Sequence, residues 1–305
     1  MLQYLRSTSK NPTITQAEVL RSGTWVRSEK PTDTEKIALI NLGIDEDILT
    51  DALDPHEVPR VEPDEGWTYF ITRLPDTDDD FNDFTTPILF AMANDQIVTV
   101  SRDPLGRLWQ PFIDSTNVST AEQTRLFMLM MEAITQQYQR RVATINRQMR
   151  AATSDVRRLQ SRDIATLTEY ERKLNDYLDA LIPTNTATEK LLSGRMLKLT
   201  EDDRDLVEDL SIDFEQLIAR CKSLLRTITN LRDSYRAVMD TRLNETIRLL
   251  TVITLALTIP TMIAGLYGMN VDILPGSHSP YAFWAIIIIS LLSAGSLSLY
   301  FLRKR

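Results

Sequence analysis

The sequence predicts an α+β membrane protein: an N-terminal α/β domain, a long helical stalk and two C-terminal transmembrane helices. Three observations predict it. Residues 249–266 and 281–302 carry no charged side chain, and each stretch is close to the roughly 20 residues with which a helix rising 1.5 Å per residue crosses a bilayer core. From residue 119 onward, up to the first of these stretches, glycine and proline almost vanish and apolar residues recur at helical spacing. Residues 1–118 instead mix short β-type runs with capped helical stretches. An average of 43% hydrophobic residues over 305 positions conceals this segregation.

In chain order, β-type runs fall at residues 24–26, 67–73, 87–91 and 96–101, the last two joined by Asn94-Asp95 as a hairpin turn. Between them Asp33 can cap a helix through Leu42, and Asp45 a second through Leu53. The acidic run Asp76, Asp78, Asp79, Asp80 and Asp83 has the composition of a cation site, but aspartates in a surface turn are usually just solvated, and that is the favoured reading.

Leu126, Leu129, Met130, Ala133, Ile134, Tyr138, Val142 and Ile145 mark the first long helix. Leu167, Tyr170, Leu174, Tyr177, Leu178 and Leu181 mark the second, which Pro183 and a threonine-rich turn are expected to break, with a short helix over residues 191–197 following. Thr200 then caps a third pattern of Leu206, Leu210, Phe214, Leu217, Cys221, Leu224, Leu225, Ile228, Leu231, Tyr235, Val238 and Met239. Its first turn is acidic, as the helix dipole favours. Nothing interrupts this pattern before the first membrane segment, so residues 200–268 read as one helix roughly 100 Å long. The expected boundaries are an α/β domain at 1–118, antiparallel helices at 119–199, a stalk helix at 200–268 entering the membrane near 247, an outer loop at 269–280, a second membrane helix at 281–302 and a basic tail at 303–305.

Composition excludes several chemistries. One cysteine and two histidines leave little for a disulfide framework, a zinc cluster or a cysteine-histidine nucleophile. Cys221 lies on the apolar face of its helix and reads as a small core residue; His56 reads as a surface residue and His278 as a solvated loop residue. No GxxxxGK[ST] or GxGxxG run occurs among the nine glycines. A net charge of -8 argues against a nucleic-acid partner. No constellation supports an enzyme or a bound cofactor.

Orientation follows from the cations. Arg242 and Arg248 precede the first membrane segment and Arg303, Lys304 and Arg305 end the second, whereas residues 267–280 contain no Lys or Arg. The first ten residues lack the apolar core of a signal peptide. Both termini are therefore expected in the cytosol of a multi-pass inner-membrane protein.

Two helices cannot enclose a polar path, so conduction requires an oligomer with one helix per subunit on the axis. The second segment suits lipid, with Tyr281, Trp284 and Tyr300 near the interfaces. In the first, Asn244, Ile247, Leu250, Thr251, Thr254, Thr258, Thr261, Gly265 and Gly268 share an arc of about 120° at 100° per residue. That stripe suits a pore lining. It also suits close helix packing through small residues, and both readings stand. Pro260 removes one backbone donor below the loop.

Tyr267-Gly268-Met269-Asn270 closes the first membrane segment. With Pro260-Thr261-Met262-Ile263-Ala264-Gly265, the upstream Asn244-Glu245, the long helix and the basic C-terminus, it resembles the CorA family of magnesium and cobalt channels. At residue level the resemblance lies over residues 242–270, with weaker similarity at 59–75 and 96–103. It implies a homopentameric funnel whose first helices line the pore, with Mg²⁺ or Co²⁺ as transported and regulatory ion. By position, Asn270 would place amide carbonyls at the outer mouth beside the Gly268 backbone and Met269, with Tyr267 bracing the turn. Asn244, Ile247, Leu250, Thr258 and Gly265 match pore-facing positions, Ile247 and Leu250 as an apolar constriction; threonine at 258 departs from the methionine of some members. Asp272 in the loop would raise local cation concentration or serve solubility.

The resemblance also implies feedback by divalent ions bound between subunits. Asp209 is the positional candidate, with Asp205 and Glu208 beside it, Asp202, Asp203 and Asp213 around it, and the Asp78, Asp79, Asp80 turn as a partner. Two alternatives remain. A zinc transporter like the ZntB branch shares the architecture, but that branch departs from methionine in the loop motif. A non-conducting helical scaffold would account for the stalk and leave the stripe and loop motif without a use.

Overall fold

The computed structural model describes residues 1–8, 11–77, 83–93, 95–114, 118–152, 160–194, 196–197, 199–270, 275–276 and 279–303. They form two compact units, Met1–Leu231 and Arg232–Arg305.

The first unit is built on a seven-stranded sheet of order β2-β1-β3-β7-β6-β5-β4. Its strands are β1 (Leu2–Thr8), β2 (Asn11–Gln16), β3 (Thr24–Glu29), β4 (Arg60–Asp64), β5 (Trp67–Thr77), β6 (Asp83–Ala93) and β7 (Gln96–Ser101). The β3–β7 pair is parallel and the other five are antiparallel. Central strands β3, β5 and β7 are buried almost continuously, because helices cover both faces.

One face presents Val26, Tyr69, Ile71, Leu89, Val98 and Val100 to α1 (Asp33–Asn41) and α2 (Glu46–Asp51). Trp25, Phe70, Phe90 and Ile97 fill the other, under α3 (Gly106–Ile113), α4 (Gln123–Ala152), α5 (Ser161–Leu192) and the start of α6 (Glu201–Tyr267). Edge-to-face rings join this second core: Trp25 to Trp109 at 5.9 Å and Phe90 to Phe127 at 5.1 Å.

β1, β2, β4 and α3 lie outside the runs that the sequence predicts. The outermost strands β2 and β4 carry Pro12 and Pro63, which edge positions tolerate because one side of the strand has no ladder to join. β5 and β6 also run past residues 73 and 87 as a ribbon ending at the Thr77↔Asp83 pair. Asp76 and Asp83 are thus strand residues. α1 is capped by Thr32, not Asp33: its hydroxyl accepts from the Glu35 N–H and the Glu35 carboxylate accepts from the Thr32 N–H. Asp45 caps α2 as expected, accepting from the Ile48 N–H at 2.9 Å.

A break at Pro183 does not occur: α5 passes through it unbroken and ends at Leu192. Thr184, Thr186 and Thr188 donate their hydroxyl protons to the carbonyls four residues back, at 2.8, 3.1 and 2.9 Å. Leu181, Thr184, Ala187 and Leu191 are buried on both sides of the proline, and the Thr184 hydroxyl meets that of Thr72 on β5 at 2.8 Å. Tertiary packing overrides the local preference. Gly194, at φ 67°, then turns the chain. Thr200 and Asp203 cap α6 reciprocally, and Val207, Leu210, Phe214, Leu217, Cys221, Leu224 and Ile228 seat it on the first unit. Leu206, expected on that face, is 38% exposed, its place taken by Val207.

Candidate functional site

The second unit contains α6 from Arg232 to Tyr267 and α7 (Ala282–Arg303). Both helices are long and apolar enough to cross a membrane. Within the uncharged stretch of α6, residues 249–266, the least exposed positions are Val252, Leu255, Ala256, Ile259, Pro260 and Ile263. Apart from the proline they centre roughly 160° from Thr254 at 100° per residue. On α7 the protected positions include Ile286, Ser290, Ser293, Ala294, Leu297 and Ser298, a small-residue row of the kind that lets membrane helices approach. Arg248 donates from Nη2 to the Phe301 carbonyl, linking the two helices at their charged end.

The other side of α6 is open. Asn244, Ile247, Leu250, Thr251, Thr254, Thr258, Thr261, Gly265 and Gly268 are all exposed. A Cβ built on Gly265 would meet no atom within 4 Å. Each threonine hydroxyl on this side donates its proton inward: Thr251 to the Ile247 carbonyl at 2.8 Å, Thr254 to Leu250 at 2.9 Å, Thr258 to Thr254 at 2.7 Å and Thr261 to Leu257 at 2.8 Å. With their protons committed to the helix, these oxygens present only lone pairs outward. The stripe is therefore a row of neutral acceptors interrupted by Ile247 and Leu250. Sequence spacing located the row; the direction of its protons is visible only in the structure.

α6 ends at Tyr267. The Gly268 N–H donates to the Ala264 carbonyl at 2.9 Å and that of Met269 to Leu266 at 3.4 Å, so Asn270 is the first residue clear of the turn. A Cβ on Gly268 would stand 3.3 Å from the Ala264 oxygen. Tyr267 Oη donates to the Pro275 carbonyl at 3.2 Å, tying the helix end to the loop eight residues on. Pro275 had no signal in the sequence, because a carbonyl acceptor is the same for every residue type.

Asp205, Glu208 and Asp209 lie exposed on the part of α6 belonging to the first unit, as does Asp202; Asp213 is half-buried and Asp203 serves the cap. Asp78, Asp79, Asp80, Asp272 and His278 lie outside the described residues. Among the described residues, no three His, Cys, Asp or Glu side chains converge to hold a metal ion within the chain. His56 is exposed, and its backbone N–H donates to the Asp54 carboxylate at 2.9 Å. Cys221 is fully buried, and burial pushes its thiol up to about 12, so it acts as packing.

A helix-covered α/β unit, joined through one helix to an apolar hairpin that ends in a tyrosine-braced Gly-Met-Asn turn, defines a two-helix membrane transport protein. Residues 21–305 match the CorA-like Mg2+ transporter protein family, and the chain belongs to it. The family is one of transporters, not enzymes. The cobalt/magnesium transport protein CorA of Methanocaldococcus jannaschii is 26% identical over 87% of this chain and 85% of that protein. The complete structure of the M. jannaschii CorA magnesium transporter superposes with a TM-score of 0.85, covering 99% of this chain and 96% of the other at 20% identity. The ZntB cytoplasmic domain of Vibrio parahaemolyticus matches 78% of this chain and 98% of its own length with a TM-score of 0.66 at 13% identity. These structural likenesses concern the fold.

Proposed function

We propose that this transporter is a passive, membrane-potential-driven influx channel for Mg²⁺, with Co²⁺ and Ni²⁺ as further substrates, assembled as a homopentamer around the open side of α6. The observation that carries the reading is the outward row of acceptor oxygens beneath the Gly268-Met269-Asn270 turn. A hydrated dication presents water O–H donors in every direction. Mg²⁺ sheds that shell reluctantly, so a lining that accepts hydrogen bonds suits the ion with its waters kept. Neutral oxygens also hold it weakly enough to leave, as conduction requires.

In this assembly Asn270 rings the outer mouth and Thr251, Thr254, Thr258 and Thr261 line the path. Ile247 and Leu250, 52% and 64% exposed in the single chain, form the belt that closes by excluding water. Arg242, Arg248 and Arg303 lie toward one end of the hairpin, which the positive-inside rule places in the cytosol of an inner-membrane protein with both termini inside. A potential of 100 mV contributes about 4.6 kcal/mol per dication, so no nucleotide hydrolysis is required. Asp205, Glu208 and Asp209, with the Asp78, Asp79 and Asp80 segment of a neighbouring subunit, form the inhibitory cytosolic metal site; repulsion among these carboxylates opens the assembly when the ion departs.

Purified protein in liposomes with an inside-negative potential takes up Mg²⁺, and Asn270→Ala abolishes the uptake. Flux unchanged by that substitution would overturn the assignment of the mouth. Zn²⁺ competition in the same assay separates this reading from zinc transport: Mg²⁺ uptake persists with Zn²⁺ at equal concentration.

A further inference from the structure

We propose that the crevice at the carboxyl ends of β3 and β7 binds a nucleoside polyphosphate. These central parallel strands run in register from Thr24↔Gln96 to Glu29↔Ser101. The chain leaves β3 for α1 and α2, whose Leu39, Ile48 and Leu49 pack with Val26 and Val98 on one face of the sheet. It leaves β7 for α3, whose Leu108 and Trp109 pack with Trp25 and Phe90 on the opposite face. Where adjacent parallel strands send their connections to opposite faces, a crevice opens outside their carboxyl ends, and open α/β sheets bind ligands there. Lys30 and Arg102 directly follow the two strands, so the topology sets two cations at the switch point.

The crevice is a cavity of about 290 Å³ lined by Lys30, Pro31, Lys36, Leu53, Arg102 and Asp103. Three cations share it with one carboxylate, and Asp103 already accepts from the Thr86 hydroxyl at 2.9 Å. Lys36 pairs at 3.2 Å with Asp33, whose side chain is 94% exposed, a partner that a phosphate can displace. Lys30 holds a left-handed backbone at φ 45°, its N–H donating to the Ser101 carbonyl at 2.9 Å. A lysine rarely adopts that conformation, and such strain concentrates at ligand sites.

Lys36 and Leu53 also line a neighbouring cleft of about 280 Å³ that adds Ile37, Ile40 and Leu49, with Asp33, Glu46 and Thr50. Ile37 is 58% exposed there. A basic basin beside a cleft of mixed lining, apolar at Ile37, Ile40 and Leu49 and acidic at Asp33 and Glu46, suits a ligand with a polyphosphate at one end and a flat ring with polar edges at the other. Free phosphate would use only the basin.

The test is isothermal titration calorimetry of the full chain in detergent, with EDTA present so that removal of Mg²⁺ by the titrant contributes nothing. ATP is expected to bind, pyrophosphate at least about tenfold more weakly and adenosine more weakly still. Lys30→Glu combined with Arg102→Glu reduces ATP affinity at least about tenfold, whereas Ile37→Asp weakens ATP and leaves pyrophosphate unchanged. No ATP binding, equal affinity for ATP and pyrophosphate, or affinity untouched by the charge reversals would overturn the proposal. If the double variant does not fold, the Ile37→Asp comparison decides the matter alone.

Discussion

Replacing Pro183 by alanine should stabilise the first unit. Pro183 sits inside α5 with helix on both sides, where its ring forgoes the hydrogen bond to the Asp179 carbonyl and crowds that group. Proline in a helix interior is about 3 kcal/mol less favourable than alanine. Two effects oppose the gain. The unfolded chain recovers roughly 0.4–1 kcal/mol of entropy without the ring, and part of a half-buried ring is lost, about 0.8 kcal/mol per fully buried CH₂. The balance is a stabilisation of about 1–2 kcal/mol, equivalent to a rise in Tm of about 2–8 °C for a unit of this size. Thermal melting of the purified chain, followed by far-UV circular dichroism, measures it. A Tm that is unchanged or lower would refute the reasoning: it would mean that a bend at Pro183 sets the packing of Leu181 and Thr184 against the sheet.

Three further outcomes are expected. Thr184→Val removes the 2.8 Å partner of the buried Thr72 hydroxyl, leaving it only a long 3.5 Å bond to the Arg73 carbonyl, and should destabilise the first unit by about 1 kcal/mol in a denaturant titration; a midpoint within error of the parent would show that the link is idle. Backbone N–H groups of Thr32 and Leu2 and the Met1 ammonium hold the Glu35 carboxyl below its ordinary 4.5, so it stabilises the fold above that value and the contribution fades as pH falls through the lower, folded-state value. Glu35→Gln should therefore lower Tm at pH 7, and the deficit should shrink as pH falls below 4.5; a deficit that does not change with pH would exclude the charge as cause. Thr258→Val keeps side-chain volume but removes an outward acceptor, so Mg²⁺ uptake in liposomes should fall severalfold at unchanged protein level; undiminished uptake would remove Thr258 from the path.

Sequence alone carried the features that depend on near neighbours. Two uncharged stretches, the cations flanking them, the helical period from residue 119 and the Tyr267-Gly268-Met269-Asn270 motif can all be read along the chain, because hydropathy, period and charge are properties of position in one dimension. Asp45 and Thr200 announced their helices for the same reason: a cap is satisfied within three residues. Tertiary structure decided what depends on distant partners. β1, β2 and β4 exist because a sheet offers ladders to strands with weak patterns of their own, and α5 survives Pro183 because residues on both sides of it are buried against that sheet. The threonine row was legible as spacing, but its acceptor character and its place opposite the α7-facing side of α6 came from the folded helices. Lys30 and Arg102 stand 72 positions apart in sequence and become neighbours because β3 and β7 pair in parallel, a non-local choice fixed by buried area over both faces of the sheet.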